Sequence, residues 1–288
     1  MSQTTIGILH PGAMGVTVGA SAATGGARAL WSSEGRSTAS VERATSAGLS
    51  DAGSLPALAE QSAIIVSVCP PHAAEDVAHQ VAATGFAGIY VDGNAIAPQR
   101  ARSIQERVEA AGARYVDGGI IGPPALKPGT TRLYLSGPAA AEVAACFDDG
   151  PLEAIPIADT SAATAGAASA LKMAYAAYTK GTTVLLLAIL GLARASGVEQ
   201  ALADEWQRSQ PALASGAEGR IRASAAKAWR FSGEMEEIAA TFAAAGLPDG
   251  FHLAAADLYA RLERYRDADP PPSLDEMLAS IAGPSGDR

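Results

Sequence analysis

The residues best suited to chemistry lie near the start of the chain. In "TTIGILHPGAMGVTVGA", Thr4 to Ala20, an apolar run meets a turn carrying Gly12 and Gly15, and a helix-like stretch follows. A strand, a glycine turn and a helix in that order can cradle a dinucleotide pyrophosphate. Bare glycines let the backbone approach, and the helix N-terminus offers N–H donors and partial positive charge. Glycine pairs also occur in plain turns, so the strand before and the helix after are what favour a cradle. Its expected members are His10, Pro11, Gly12, Ala13, Met14 and Gly15. Pro11 offers no N–H. His10 either stacks or donates near the phosphates, or only fills the turn.

Such a site needs a second element, which reads the ribose at the end of the second strand. Here that is "LWSSEGRST", Leu30 to Thr38. A carboxylate bonding the 2′-hydroxyl selects NAD, whereas arginine with hydroxyls suits the 2′-phosphate of NADP. Glu34 stands among Ser32, Ser33, Arg36 and Ser37. The balance favours NADP, read by Ser33, Arg36 and Ser37, with NAD an open alternative and an exposed loop without ligand a third.

These residues need a parallel sheet and helices to hold them. Strand-like runs "TIGIL", "ARALW", "AIIVSVC", "GIYVDG", "RYVDGG" and "TRLYLSG" alternate with helical segments such as "AAEDVAHQVAATG" and "PQRARSIQERVEAAG". Pro98 near the start of the latter and Gly112 just past its end mark helix termini. Apolar strands alternating with helices predict a parallel sheet covered on both faces. After about Thr160 the strands stop, and "TSAATAGAASALKMAYAAYTKGTTVLLLAILGLARASG" reads as one very long helix or two in series. Apolar residues nearly all round it predict burial on most sides. Helical "VEQALADEWQRSQ", "GEMEEIAATFAAAG" and "FHLAAADLYARLERYRDA" follow, and the Pro-rich tail from Asp269 is expected to fray. The fold class is therefore an α/β Rossmann domain over residues 1–160, then an all-α domain over 161–288 that starts with a long interdomain helix.

Bulk properties narrow the function. The 288 residues carry a net charge of −9, which disfavours nucleic acid and anionic membranes as partners. Mean hydropathy is +0.12 and the pI is near 5.0. The apolar stretch Gly181 to Ala193 is short of the roughly 20 residues a spanning helix needs, so a buried core or interface helix is expected. Cys69 and Cys146 lack metal-ligand spacing and read as reduced thiols. The N-terminus lacks a signal-peptide pattern, so a cytoplasmic protein without metal is expected.

With these pieces placed, the chain resembles the β-hydroxyacid dehydrogenase and 6-phosphogluconate dehydrogenase superfamily. The landmarks are "GILHPGAMG", "VDGNAIAP", "VDGGIIGPP" and "GAASALKMAY". The C-terminal "WRFSGEMEEIAATFAAAGLPDGFHLAAADLY" is similar to a phosphogluconate-dehydrogenase-like subgroup whose terminal domain has no assigned function. The resemblance implies a nicotinamide cofactor, a small-molecule substrate and a homodimer built through the helical domain. It places the catalytic lysine at Lys172, with Gly166 as the first glycine of the preceding pattern. Tyr175 and Thr179 lie three and seven residues on, on nearly the same helix face. Tyr175 is a second donor or the true acid, or else packs. Lys172 itself can instead be a snorkelling surface lysine. Cys69 and Pro70, at the end of "AIIVSVC", and Asn94 are expected on the cofactor side, and Ile121, Gly122 and Thr179 on the substrate side.

The departures from the family pattern bear on substrate. His10 replaces a glycine, Ala168 the second glycine before the lysine, and Tyr175–Ala176 the usual His or Asn followed by Asn. Asn94–Ala95 stands for Ser-Thr, and Glu236–Glu237 for a Lys-Asp pair. Ile121, Gly122 and Pro123 stand where the family carries a carboxylate-holding Ser-Gly-Gly. Ile121 has no hydroxyl and Pro123 no N–H, so the expected substrate is an alcohol or carbonyl compound that is bulkier or less anionic than a small 3-hydroxy acid. Three activities remain open: an NADP-dependent alcohol dehydrogenase or ketone reductase using Lys172, an imine reductase using Tyr175, and a nucleotide-binding protein without chemistry. His72, Lys127, Lys227 and Arg230 read as surface residues. Lys180, about 80° round the helix from Lys172, lines the same cleft or lies at the surface.

Overall fold

The computed structural model describes residues 3–157 and 166–282. The chain divides into two compact units, Met1–Met173 and Ala174–Arg288. Their boundary falls inside a helix. The expected boundary at 160/161 lies outside the described residues.

The first unit is built on an eight-stranded sheet of order β3-β2-β1-β4-β5-β6-β7-β8. The strands are β1 (Thr5–Ile8), β2 (Arg28–Trp31), β3 (Ser50–Asp51), β4 (Ile64–Ser67), β5 (Ile89–Asp92), β6 (Arg114–Ile121), β7 (Thr131–Ser136) and β8 (Leu152–Pro156). Helices α1 (Gly15–Thr24), α2 (Thr38–Ser46), α3 (Leu55–Gln61), α4 (Ala74–Ala83), α5 (Pro98–Ala110) and α6 (Ala140–Ala144) join them, and α7 (Ala167–Ala176) follows. Successive strand residues face opposite sides. Ile6, Ile8, Ile64, Val66 and Val91 enter one core with Val18 and Phe147, while Ile65 and Tyr90 enter another with Val77 and Ile104. This is a sheet covered on both faces, as the continuous apolar runs predict.

One pairing departs from the expected parallel sheet. β6 and β7 are antiparallel, and β8 is parallel to β7. Only Gly122 to Thr130 joins β6 to β7, and a parallel crossover needs a dozen or more residues. The sequence reading also missed β3 and β8, which are two and five residues long. β3 is polar and exposed, without a strand signature.

The second unit is helical. α7 runs through a π-helical turn, Ala177–Gly181, into α8 (Thr182–Ala195). Then come α9 (Glu199–Ser209), α10 (Pro211–Ala225), α11 (Ala228–Ala244), α12 (Gly250–Ala260) and α13 (Leu274–Ile281). The core gathers Leu187, Ile221, Met235, Ile238, Tyr259 and Leu278. Two expectations change here. The tail does not fray over 274–281, because Ser273 and Glu276 form a capping box and Met277, Leu278 and Ile281 are buried. The last six residues lie outside the described ones. The long helix is also less buried than its composition predicts. Ala167–Ala195 forms one 29-residue run, long and apolar enough to cross a membrane, yet only 39% of its most apolar window is buried. Tyr175, Tyr178, Leu185 and Leu192 are exposed.

Candidate functional site

The strand order reverses between β1 and β4, since β2 and β3 lie to one side and β5 to the other. A crevice opens there beyond the carboxyl ends of the strands, where α/β sheets bind ligands. The turn from Leu9 to Gly15 leaves β1 at that point, and Cys69–Pro70 leaves β4.

The turn is shaped for close backbone approach. A Cβ on Gly15 would lie 2.1 Å from the His10 carbonyl oxygen, so this position admits only glycine. A Cβ on Gly12 would meet nothing within 4 Å, which leaves open space over the loop. The His10 carbonyl accepts from Gly12 N–H at 2.8 Å. α1 begins without a side-chain cap and without an acidic residue in its first turn; the N–H groups of Val16 and Thr17 already bond the Gly12 and Met14 carbonyls, so the donors it offers are those of the turn just before them. Pro11 is buried, Ala13 exposed, and Gly12 and Met14 half-buried.

Two arginines fasten this turn by its carbonyls. Arg36 Nη2 donates to Leu9 O at 3.1 Å, and Arg43 Nε donates to Pro11 O at 3.2 Å. Arg43 escaped the sequence reading. It stands on α2, seven residues after Arg36 in the loop before that helix, and this nearby second arginine was the available signal. His10 and Arg36 border a cleft of about 130 Å³ together with Ser32 and Glu34. Two buried nitrogens there, His10 Nδ1 and Arg36 Nε, have no hydrogen-bond partner. Burial and the neighbouring guanidinium push the His10 imidazole down to about 4, so it is neutral. Ser33 and Ser37 serve the loop itself: Ser33 N–H donates to Asp51, and Ser37 Oγ caps α2 by accepting from Ser40 N–H.

The loops after β4 and β5 are tied by Asn94. Its Oδ1 accepts from Cys69 N–H at 2.6 Å, its Nδ2 donates to Ser67 Oγ at 3.1 Å, and its N–H donates to Asp92 Oδ1 at 2.9 Å. Asn94 is 2% exposed, so its amide holds the frame while Pro70 lies exposed beyond it. Burial pushes the Cys69 thiol up to about 12, which makes it inert at neutral pH. Burial and then Asp117 on the next strand push Asp92 up to about 7.

Lys172 leaves α7 and its Nζ donates to the Ile120 carbonyl at 2.7 Å. β6 and α7 meet closely at Gly119, where a Cβ would lie 2.5 Å from Ala168 O and 3.1 Å from Lys172 Cβ. Ile121 is buried, and Gly122 has φ +129 with no room for a side chain against Thr130. Tyr175 and Thr179 belong to the second unit. Tyr175 is half-exposed, and Thr179 Oγ1 donates to its carbonyl. Lys180 does not lie at the surface. It pairs with Glu234, sits 4.8 Å over the Phe231 ring, and its carbonyl accepts from Tyr259 Oη. Among the described residues no cluster of metal-ligating side chains occurs.

The open glycine, the bare helix end and the two unpartnered nitrogens fit a dinucleotide with its phosphates over α1. Comparison with known proteins agrees. Residues 5–145 match the NAD binding domain of 6-phosphogluconate dehydrogenase, and residues 193–262 match DUF1932, a domain of unknown function. No curated protein matches the sequence. Among solved structures, 3-hydroxyisobutyrate dehydrogenase of Mycobacterium tuberculosis with L-serine is 17% identical, with TM-score 0.71, over 98% of this chain and all of that one. The reductive aminase of Aspergillus terreus with NADPH and ethyl levulinate is 19% identical over 98% and 100%, with TM-score 0.56. An imine reductase variant of Myxococcus stipitatus with NAD+ is 18% identical over 98% and 99%, with TM-score 0.55. These likenesses show the fold, one that houses nicotinamide-dependent oxidoreductases.

Proposed function

We propose that this chain, which belongs to the 6-phosphogluconate dehydrogenase-like superfamily and carries its NAD-binding domain, is an NADP-dependent oxidoreductase acting on an alcohol or carbonyl compound, with Lys172 as acid and base. The observation that carries the proposal is the pairing, in one compact unit, of an open glycine turn with a lysine held by a strand carbonyl. The N–H groups of Ala13 to Gly15, at the mouth of α1, would hold the pyrophosphate over Gly12. Arg36 and Arg43, with Ser33 and Ser37, form the cationic and hydroxyl-bearing edge that prefers a 2′-phosphate over a bare ribose. The unpartnered nitrogens of His10 and Arg36 gain a partner when that edge is filled. The cofactor supplies or accepts a hydride when bound. Lys172 handles the proton: as ammonium it donates to the substrate oxygen during reduction, and as neutral amine it accepts from the hydroxyl during oxidation. Ile121 without a hydroxyl and Pro123 without an N–H leave no carboxylate grip, so the substrate is bulkier or less anionic than a small hydroxy acid.

In the test, Lys172→Met should lower kcat about 10²- to 10⁴-fold while NADPH affinity stays within twofold. Unchanged turnover on the substrate that the wild type prefers would sink the lysine's role. A second reading has its own observation: Tyr175 is half-exposed and so accessible to a substrate. If cyclic imines rather than ketones are turned over, and Tyr175→Phe rather than Lys172→Met abolishes it, the protein is an imine reductase.

The free thiols Cys69 and Cys146 suit a cytoplasmic protein. The exposed side chains of α7 and α8 suit a second copy of the chain better than lipid. Tyr175, Tyr178, Leu185 and Leu192 are exposed and follow one another at intervals of three, seven and seven residues, the heptad spacing of a helix–helix seam. The homodimer is therefore proposed to form through the helical unit.

A further inference from the structure

We infer that Asp117 is the positioning residue for Lys172: its buried carboxylate pins the first turn of α7 to the same strand whose carbonyl receives the lysine. This inference rests on Lys172 being the acid and base. Asp117 is 1% exposed and lies on β6. Its Oδ1 accepts from Ser169 Oγ–H at 2.6 Å, and its Oδ2 accepts from Ser169 N–H at 2.9 Å and Ser136 Oγ–H at 3.0 Å. Ser136 Oγ in turn accepts from Ala168 N–H at 3.2 Å. Two consecutive N–H groups of the lysine helix thus end, directly or through Ser136, on one carboxylate.

Three positions of β6 address this helix. Asp117 holds residues 168 and 169 through their N–H groups. Gly119 lets the helix lie against bare backbone at Ala168 and Lys172. Ile120 accepts from Lys172 Nζ at 2.7 Å. The long lysine side chain has four rotatable bonds, and a hydrogen bond at its tip does not fix its root. The carboxylate fixes the root, Gly119 sets the depth, and the Ile120 carbonyl sets the tip. A slide of the helix along β6 would break the tip contact, so the same hydrogen bonds that fasten the helix decide where the ammonium stands. Burial pushes the Asp117 carboxyl up from its usual range, while the bonds it accepts from Ser169 and Ser136 work to hold it down.

The test does not need a substrate. The chain has four lysines, Lys127, Lys172, Lys180 and Lys227, so the full-length protein labelled with carbon-13 in lysine gives a readable spectrum. Lys172 is assigned by its loss in Lys172→Met. In wild type its side-chain signal should stand apart from those of Lys127 and Lys227, which are exposed. In Asp117→Ala it should move to join them, while NADPH affinity changes less than threefold. Asp117→Asn, which keeps the shape and the acceptor oxygen, should restore most of the wild-type position. Should Asp117→Ala not fold, Ser169→Ala and Ser136→Ala each remove part of the tie and should each shift the signal in the same direction. A Lys172 signal unmoved in folded Asp117→Ala, or in both serine variants, overturns the positioning role and leaves the catalytic proposal standing. A catalytically silent Lys172→Met with the spectral shifts present does the reverse.

Discussion

At the scale of single residues, charge and burial set the testable chemistry. Arg36 gives one Nη2 hydrogen to the Leu9 carbonyl, and its Nε stays unpartnered at the cleft. Arg36→Ala should weaken NADPH binding about 10- to 100-fold more than it weakens NADH, the 1.4–2.8 kcal/mol expected of a lost charge-assisted pair, because the Leu9 contact serves the turn that both nucleotides share. Calorimetric titration with each nucleotide checks this. Equal losses for both nucleotides would remove the 2′-phosphate assignment. Asp92 gives a pH prediction. Burial raises its folded value from 3.8 to about 7, so the folded state keeps a proton that the unfolded chain releases above pH 4. Its contribution is present at low pH and is lost as pH rises toward 7, by about 4 kcal/mol at about 1.4 kcal/mol per pH unit. His10, lowered to about 4, works in the opposite sense: its contribution is present above about 6.5 and is lost as pH falls toward 4. The two partly cancel in the wild type. Asp92→Asn removes one of them, so the gain in unfolding midpoint of this variant over wild type should grow between pH 5 and pH 8. A constant difference across that range would contradict the buried, protonated carboxyl.

At the scale of elements, the turn after β1 and the junction of β6 with α7 carry the design. Gly15 allows the chain to fold back on the His10 carbonyl and enter α1 at once. Gly15→Ala should abolish measurable binding of either nucleotide and lower the unfolding midpoint by several degrees, since a Cβ 2.1 Å from backbone oxygen forces the turn to move. Gly12→Ala has room and should fold normally, so any loss of nucleotide affinity in it reports on the ligand alone. The π-helical turn at Ala177–Gly181 is a second irregular element. It carries Lys180, whose ion pair with Glu234 and cover by Phe231 lie in the second unit. A lysine that the sequence leaves between cleft and surface is thus committed to a partner.

At the scale of the whole molecule, the question is what covers the apolar face of the long helix. Leu185→Glu combined with Leu192→Glu places two charges on that seam. Sedimentation equilibrium should find the wild type as a dimer and the variant as a monomer with unchanged helix content. A wild-type monomer at micromolar concentration would remove the proposed homodimer, and partition of the wild type into detergent or lipid would point to a membrane instead. No signal in composition separates these outcomes, because an apolar stripe has the same residues whichever surface it meets.

Much was legible in the sequence because it is encoded locally. Alternating apolar runs and helices specify a sheet covered on both faces, and Gly12, Gly15, Pro98 and Gly112 mark turns and helix ends through backbone sterics alone. Other features depend on partners far along the chain. The antiparallel β6–β7 pair follows from a connection too short to cross over. The docking of α13 follows from a capping box and three apolar residues finding a groove, which a Pro-rich flank conceals. The grip of Arg36 and Arg43 on the turn, the spending of the Asn94 amide on Cys69 and Ser67, and the tie from Asp117 to Ser169 join residues 25 to 52 positions apart. Backbone preference and hydrophobic period are properties of a few neighbouring residues, and so the sequence alone determined the kind of elements and the glycine turn. Which polar atoms meet is decided only when the sheet brings distant loops to one edge, and so the tertiary structure alone decided what each candidate side chain is free to do.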